Sequence, residues 1–90
     1  MTKSELIKAI SNDTGVEHAT VSAIVESAMS NIKDSLIKDE PVFLRGFGTF
    51  LNKVRKAKPA RNIAAKTTIV IPEHKIPYFK PAKDFKNSVR

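Results

Sequence analysis

Apolar residues in the first half of the chain recur every three or four positions, and after Pro41 the pattern changes to β-rich residues such as Val, Phe, Thr and Ile. The pattern predicts helices first and strands second. Thr2 followed three residues later by Glu5 has the spacing of a capping box, which starts a helix by satisfying orphan backbone donors. Leu6, Ile7 and Ile10 form the stripe of that helix, and Asn12-Asp-Thr-Gly15 stops it, with Gly15 able to take a left-handed cap conformation. A longer stripe follows, made of Val21, Val25, Ala28, Met29, Ile32 and Leu36 and widened by Ile24 and Ile37, before Asp39-Glu40-Pro41 breaks it. A helix of roughly twenty residues spans about 30 Å. The first helix is too short to cover it, so part of the stripe is expected to be buried against another subunit.

Beyond Pro41, Val42-Phe-Leu-Arg45 and Thr49-Phe-Leu-Asn-Lys-Val-Arg55 read as strands joined by a tight turn at Gly46-Phe47-Gly48. The stretch from Lys53 to Lys66 has no steady apolar face and reads as a charged projection; Pro59 suits an edge or arm there, because it lacks the donor a ladder needs. Thr67 to Ile71 is the returning strand. Lys75 to Pro81 is extended, with Pro77 and Pro81 excluding helix, and Ala82 to Arg90 forms a closing helix with Phe85 and Val89 on one face and Lys83 and Lys86 pointing away. The predicted class is α+β in a single domain over residues 1–90. Residues 1–40 are a helical dimerisation region, 41–81 a three-stranded antiparallel sheet drawn out into a β-ribbon arm at about 52–74, and 82–90 a short C-terminal helix. Val25, Met29, Ile32 and Leu36 are expected in the core or dimer interface. Phe47, Phe50 and Phe79 belong with them rather than on a base-stacking platform, since they flank a glycine turn and a Pro-rich return in a chain short of large core residues.

Ninety residues with 41% apolar content fold as one domain without a generous core. With no cysteine there is neither a disulfide nor a thiolate metal site, and His18 and His74 stand too far from other ligands to hold a metal. No metal or cofactor is expected. Oligomerisation is then the source of extra burial, and a homodimer is the expected state. No apolar run reaches membrane-spanning or signal-peptide length, so no membrane partner is expected and the protein should stay in the cytoplasm. Catalysis has no foothold either: no nucleophile elbow or paired His with Glu occurs, and Glu5, Asp13, Glu17, Glu26 and Asp34 fall on or near helix faces.

The charge is segregated. From Lys53 to Arg90 eleven Lys or Arg stand against Glu73 and Asp84, a net +9, while the preceding 52 residues sum to −2. A region so cationic should face something densely anionic. Nucleic acid fits best, since a duplex presents about one negative charge per 1.7 Å and binding releases its counterions.

Two helices, a sheet whose second and third strands run into a basic arm, and a short final helix occur here in a distinctive order. The chain opens with Lys3-Ser-Glu-Leu-Ile7, carries Gly46-Phe-Gly-Thr-Phe50 at the first turn and Arg61-Asn62 at the arm position, and closes with Ile71-Pro, Ile76-Pro-Tyr-Phe-Lys-Pro81 and Lys83. Over essentially all 90 residues it resembles the bacterial HU and integration host factor family, and most of all HU. The resemblance implies an intertwined homodimer of the bacterial nucleoid whose helices form a base and whose two arms reach around double-stranded DNA in its minor groove. Carried onto this chain, it assigns Lys53, Arg55, Lys56, Lys58, Arg61, Lys66 and Lys75 to the arm as phosphate and groove contacts. Asn62 would meet base edges, and Lys3, Lys80, Lys83 and Lys86 phosphates along the body.

One departure stands at the tip. The family pattern is Arg-Asn-Pro, with the proline wedged between base pairs, whereas this chain has Arg61-Asn62-Ile63. Isoleucine is an apolar wedge of the kind that unstacks base steps and kinks a duplex. Ala64-Ala65-Lys66 also lacks the glycine usual in that turn. The implied function is architectural binding and bending of DNA, largely without sequence specificity and with preference for bent or distorted duplex. Two alternatives remain open: a sequence-specific bender like integration host factor, and a module that clamps RNA or another polyanion without bending it.

Overall fold

The computed structural model describes residues 1–62 and 67–90, the stretch 58–71 by its backbone alone. Its elements run α1 (Lys3–Thr14), α2 (His18–Ile37), β1 (Val42–Leu44), β2 (Gly48–Arg55), β3 (Lys58–Asn62), β4 (Thr67–Ile71), β5 (His74–Pro81) and α3 (Lys83–Val89). They fall into two compact units, Met1–Ser35 and Leu36–Arg90.

In the first unit, Thr2 sits in extended backbone and its Oγ1 accepts a hydrogen bond from the Glu5 amide at 3.2 Å, so the predicted cap forms. Gly15 closes α1 at φ 73° and donates to the Ser11 carbonyl at 2.9 Å. The link to α2 is tied back by two hydroxyls: Ser11 Oγ donates to the Val16 carbonyl (2.6 Å), and Thr14 Oγ1 accepts from the Val16 amide (3.2 Å). Ile7 and Val21 are buried. The α2 stripe is not covered along its length. Val25 and Ile32 are half-buried, Met29 is 37% exposed, and Ile24, expected to widen the stripe, is 60% exposed. Ile37, which lies in the second unit, is 81% exposed.

The second unit contains a three-stranded antiparallel sheet in the order β1-β2-β5 and a two-stranded ladder of β3 and β4. β1 is one residue shorter than predicted, because Arg45 enters a turn closed by the Phe47 amide donating to the Leu44 carbonyl at 3.0 Å. The extended stretch predicted from Lys75 is a full strand, pairing with β2 from Gly48↔Pro81 to Arg55↔His74. It tolerates Pro77 and Pro81 because β5 is an edge strand, where a missing N–H leaves no neighbour unsatisfied. β3 and β4 pair from Lys58↔Ile71 to Asn62↔Thr67 with the same offset between partners as β2 and β5. One register therefore runs from the sheet into the arm. The interruption falls where that offset sets Ala57 against Pro72, which has no N–H to give the ladder. Pro59 occupies the arm ladder opposite Val70.

An aromatic cluster occupies one side of the sheet. Phe50 and Phe79, cross-strand partners, have ring centroids 4.8 Å apart; Phe47 lies 5.0 Å from Phe79 and 5.4 Å from Phe85 of α3. Offset and tilted rings at such distances gain quadrupole attraction as well as burial. Of these residues, expected in the core or dimer interface, Phe50 and Phe79 are half-buried and Phe47 is 47% exposed. Val89 does not join Phe85 in this core; it is 74% exposed in the last turn of α3.

Helix α2 ends within this unit. The buried Leu36 carbonyl, one of the acceptors a helix end leaves unpaired, takes the Asp39 amide at 3.0 Å and Asn52 Nδ2 at 2.7 Å. Asp39 adopts φ 60°, a left-handed conformation that aspartate tolerates better than most residues.

Candidate nucleic-acid interface

Successive side chains of a strand point to opposite faces, so the register divides the sheet's residues into two sets. Phe50, Asn52, Val54, Lys75, Pro77 and Phe79 share the face that carries the aromatic cluster. Thr49, Leu51, Lys53, Arg55, His74, Ile76, Tyr78 and Lys80 share the other, and Phe43 joins them as the partner of Thr49. Three of these nine are Lys or Arg and none is acidic. Lys53, Arg55 and Lys80 are all exposed. Lys53 Nζ lies 4.8 Å from the centroid of the Tyr78 ring, a cation–π contact that restrains a flexible ammonium while leaving its charge available.

At the sheet's edge an open groove of about 430 Å³ is lined by Arg45, Lys80 and Lys83 together with Phe43 and Thr49. It converges three cations from the β1–β2 turn, the end of β5 and the start of α3. Lys86, one turn further along α3, is exposed. Arg45 is absent from the sequence-derived set; its place between a strand and a glycine turn was visible, but its convergence with Lys80 and Lys83 is set by strand pairing.

Two predicted phosphate ligands are engaged by carboxylates of the chain itself. Lys3 Nζ is paired with Glu26 of α2. Lys75 Nζ donates to Asp39 Oδ2 at 2.6 Å, and Asn52 Nδ2 donates to Asp39 Oδ1 at 3.1 Å. The Lys75 ammonium, by its hydrogen bond first, and then Asn52 hold the Asp39 carboxyl below the usual carboxylate range. Lys75 thus lies on the opposite face from Lys53 and Arg55, secured to the end of α2 rather than grouped with them.

Lys56 is exposed at the ladder interruption. Lys58, Arg61 and Asn62 take their places on β3, opposite Ile71, Thr68 and Thr67. Ile63 and Lys66 lie outside the described residues. Among the described residues no cluster of three or more His, Cys, Asp or Glu could hold a metal, and no helix is long and apolar enough to cross a membrane. His74 Nδ1 donates to the Pro72 carbonyl at 2.9 Å, a local contact at the base of the arm.

Comparison with known proteins gives a consistent picture. A family model described as "Bacterial DNA-binding protein" matches residues 1–90. The DNA-binding protein HU of Thermotoga maritima is 38% identical over 92 aligned residues, covering the whole of both chains. A prophage-derived HU 2 of Bacillus subtilis is also 38% identical, over 100% of this chain and 98% of its own. Among solved structures, an Anabaena HU–DNA cocrystal structure superposes with a TM-score of 0.94 at 30% identity, covering 99% of this chain and 97% of that one.

Proposed function

This chain belongs to the bacterial DNA-binding protein family that includes HU, and from that premise we propose that it is a homodimeric architectural protein that binds and bends double-stranded DNA largely without regard to sequence. The observation that carries the reading is the ribbon. One antiparallel register extends from β2 and β5 into β3 and β4, while the sheet face beneath presents Lys53, Arg55 and Lys80 with no opposing carboxylate. A projecting cationic ribbon matches a duplex groove in shape and in charge.

Binding and deformation are separate tasks in this reading. Lys53, Arg55, Lys56, Lys58, Arg61 and Lys66 supply phosphate and groove contacts along each arm, and Asn62 meets base edges without strong discrimination. The groove of Arg45, Lys80 and Lys83 holds the duplex against the body, and Lys86 and Lys3 supply further phosphate contacts. Lys75 contributes less, because Asp39 already neutralises it. Ile63 acts as the apolar wedge, unstacking one base step per arm. Residues 1–90 work as one DNA-binding domain, with 1–40 as its dimerisation region, acting without catalysis at the nucleoid in the bacterial cytoplasm.

The test compares straight, nicked and four-way-junction DNA at fixed salt, with bending read by fluorescence transfer across a doubly labelled duplex. Distorted DNA should bind more tightly, because part of the bending cost is already met. Arg61→Ala should weaken binding to every duplex by about 1–3 kcal/mol. Ile63→Ala keeps all charges, so it should bind straight duplex nearly as the parent does while losing much of the bend. Equal bending by Ile63→Ala and parent refutes the wedge, and equal affinity for straight duplex and A-form RNA refutes the architectural role.

A further inference from the structure

The open face of the sheet carries a feature that phosphate contacts do not explain. Phe43 is 74% exposed and Tyr78 41% exposed, although both lie within paired strands. Large aromatic rings on a sheet normally turn into the core, as Phe50 and Phe79 do one position away. Here the register places Phe43 and Tyr78 on the side that also carries Lys53, Arg55 and Lys80.

Their spacing is set by the strands. Phe43 lies opposite Thr49, which lies opposite Lys80, and Tyr78 stands two residues from Lys80 along β5. Strands about 4.8 Å apart and a rise of about 3.3 Å per residue put the two rings roughly 10 Å apart across the sheet and roughly 7 Å along it. Lys80 shares the row of one ring and the strand of the other. Two exposed rings flanked by Lys80 and by Lys53, whose Nζ lies over Tyr78, suit a single nucleic-acid strand: its bases have faces to stack, and its phosphates need positive partners. A paired duplex hides those base faces.

We propose that Phe43 and Tyr78 form a stacking platform for unpaired bases of DNA, with Lys80 and Lys53 holding the phosphates of that strand. The proposal rests on the duplex-binding reading and extends it to gapped and frayed sites, whose unpaired nucleotides would be drawn onto the sheet while the arms hold the flanking duplex. Charge selects the occupant. The nine residues of this face include three Lys or Arg and no acid, which disfavours a basic or purely apolar partner and favours a polyanion.

The chain has one tyrosine and no tryptophan, so its intrinsic emission reports Tyr78 alone. Adding a twelve-nucleotide oligothymidine or a gapped duplex should quench that emission more strongly than an intact duplex of equal length does. Affinities for the three ligands are then compared at one salt concentration for the parent and for Phe43→Ser, Tyr78→Ser and the double variant, with circular dichroism verifying the fold. Each single variant should lose about fivefold or more on the oligothymidine, the double variant more, and each should lose clearly less on intact duplex, whose phosphates still meet Lys53, Arg55 and Lys80. Unchanged oligothymidine affinity in the double variant overturns the platform, as does an equal loss on intact duplex. Failure of the parent to bind intact duplex instead refutes the duplex-binding reading, while the oligothymidine measurements decide the platform separately.

Discussion

A Cβ added at Gly48 would lie 2.5 Å from Cζ of Phe79 and 2.6 Å from the Lys80 carbonyl oxygen, and only the first of these belongs to a side chain that could turn aside. Gly48→Ala should therefore spread β2 from β5 or push Phe79 out of the aromatic cluster, at a cost of about 1–3 kcal/mol. Chemical denaturation at fixed protein concentration measures it, and a variant as stable as the parent refutes this packing. Asp39 makes the second prediction at this scale. Its carboxyl is held below the usual range by Lys75 and Asn52, so the stability it confers is fully present above the unfolded carboxylate value of about 3.9. It is lost as pH falls through the lower folded value. Asp39→Asn should melt at a lower temperature than the parent at pH 7, and the two melting temperatures should converge below about pH 4. A gap that persists unchanged into acid would mean that charge is not what Asp39 contributes.

Helix α1 begins because Thr2 Oγ1 receives the Glu5 amide, and Thr2→Ala should cost about 1 kcal/mol, seen as faster amide exchange in the first turn of α1 together with a lower unfolding midpoint. That cap was legible in the sequence, as were both N-terminal helices and the stop at Gly15, because helices are specified by residues close along the chain. The strand segments after Pro41 were legible from composition. Their pairing was less so, since which strand lies beside which depends on residues far apart. Lys75 illustrates the limit: its partner Asp39 is 36 positions away, and nothing local marks the pair. Phe43 and Tyr78 illustrate another. Strand geometry makes each face opposite to its neighbours, but only the gathering of Phe47, Phe50, Phe79 and Phe85 decides which side is core.

The exposure left along α2, with Ile24 at 60% and Met29 at 37%, is more apolar surface than one small chain comfortably leaves in water, and the proposed homodimer would give it cover. Ile32→Asp should place a carboxylate within that cover and abolish the folded dimer, seen as loss of cooperative melting and of DNA binding. A folded, DNA-binding monomer at micromolar concentration would refute the obligate dimer. Neutralising roughly eight phosphates predicts that log affinity falls with log salt at a slope of about −7. A slope near −2 would mean that most of the cations never meet the backbone. The shared register of sheet and arm also sets how the reach of such a dimer can change over generations. One residue inserted between Arg55 and Lys58, without another between Ile71 and His74, would put the strands out of step and turn every side chain beyond it to the wrong side. Viable changes in arm length must therefore come as matched insertions or deletions in both strands, each lengthening or shortening the arm by about 3.3 Å per residue pair. Because a homodimer reads both arms from one gene, every such change arrives on both sides of the DNA at once, so the span of the clamp evolves in coarse steps rather than by gradual adjustment.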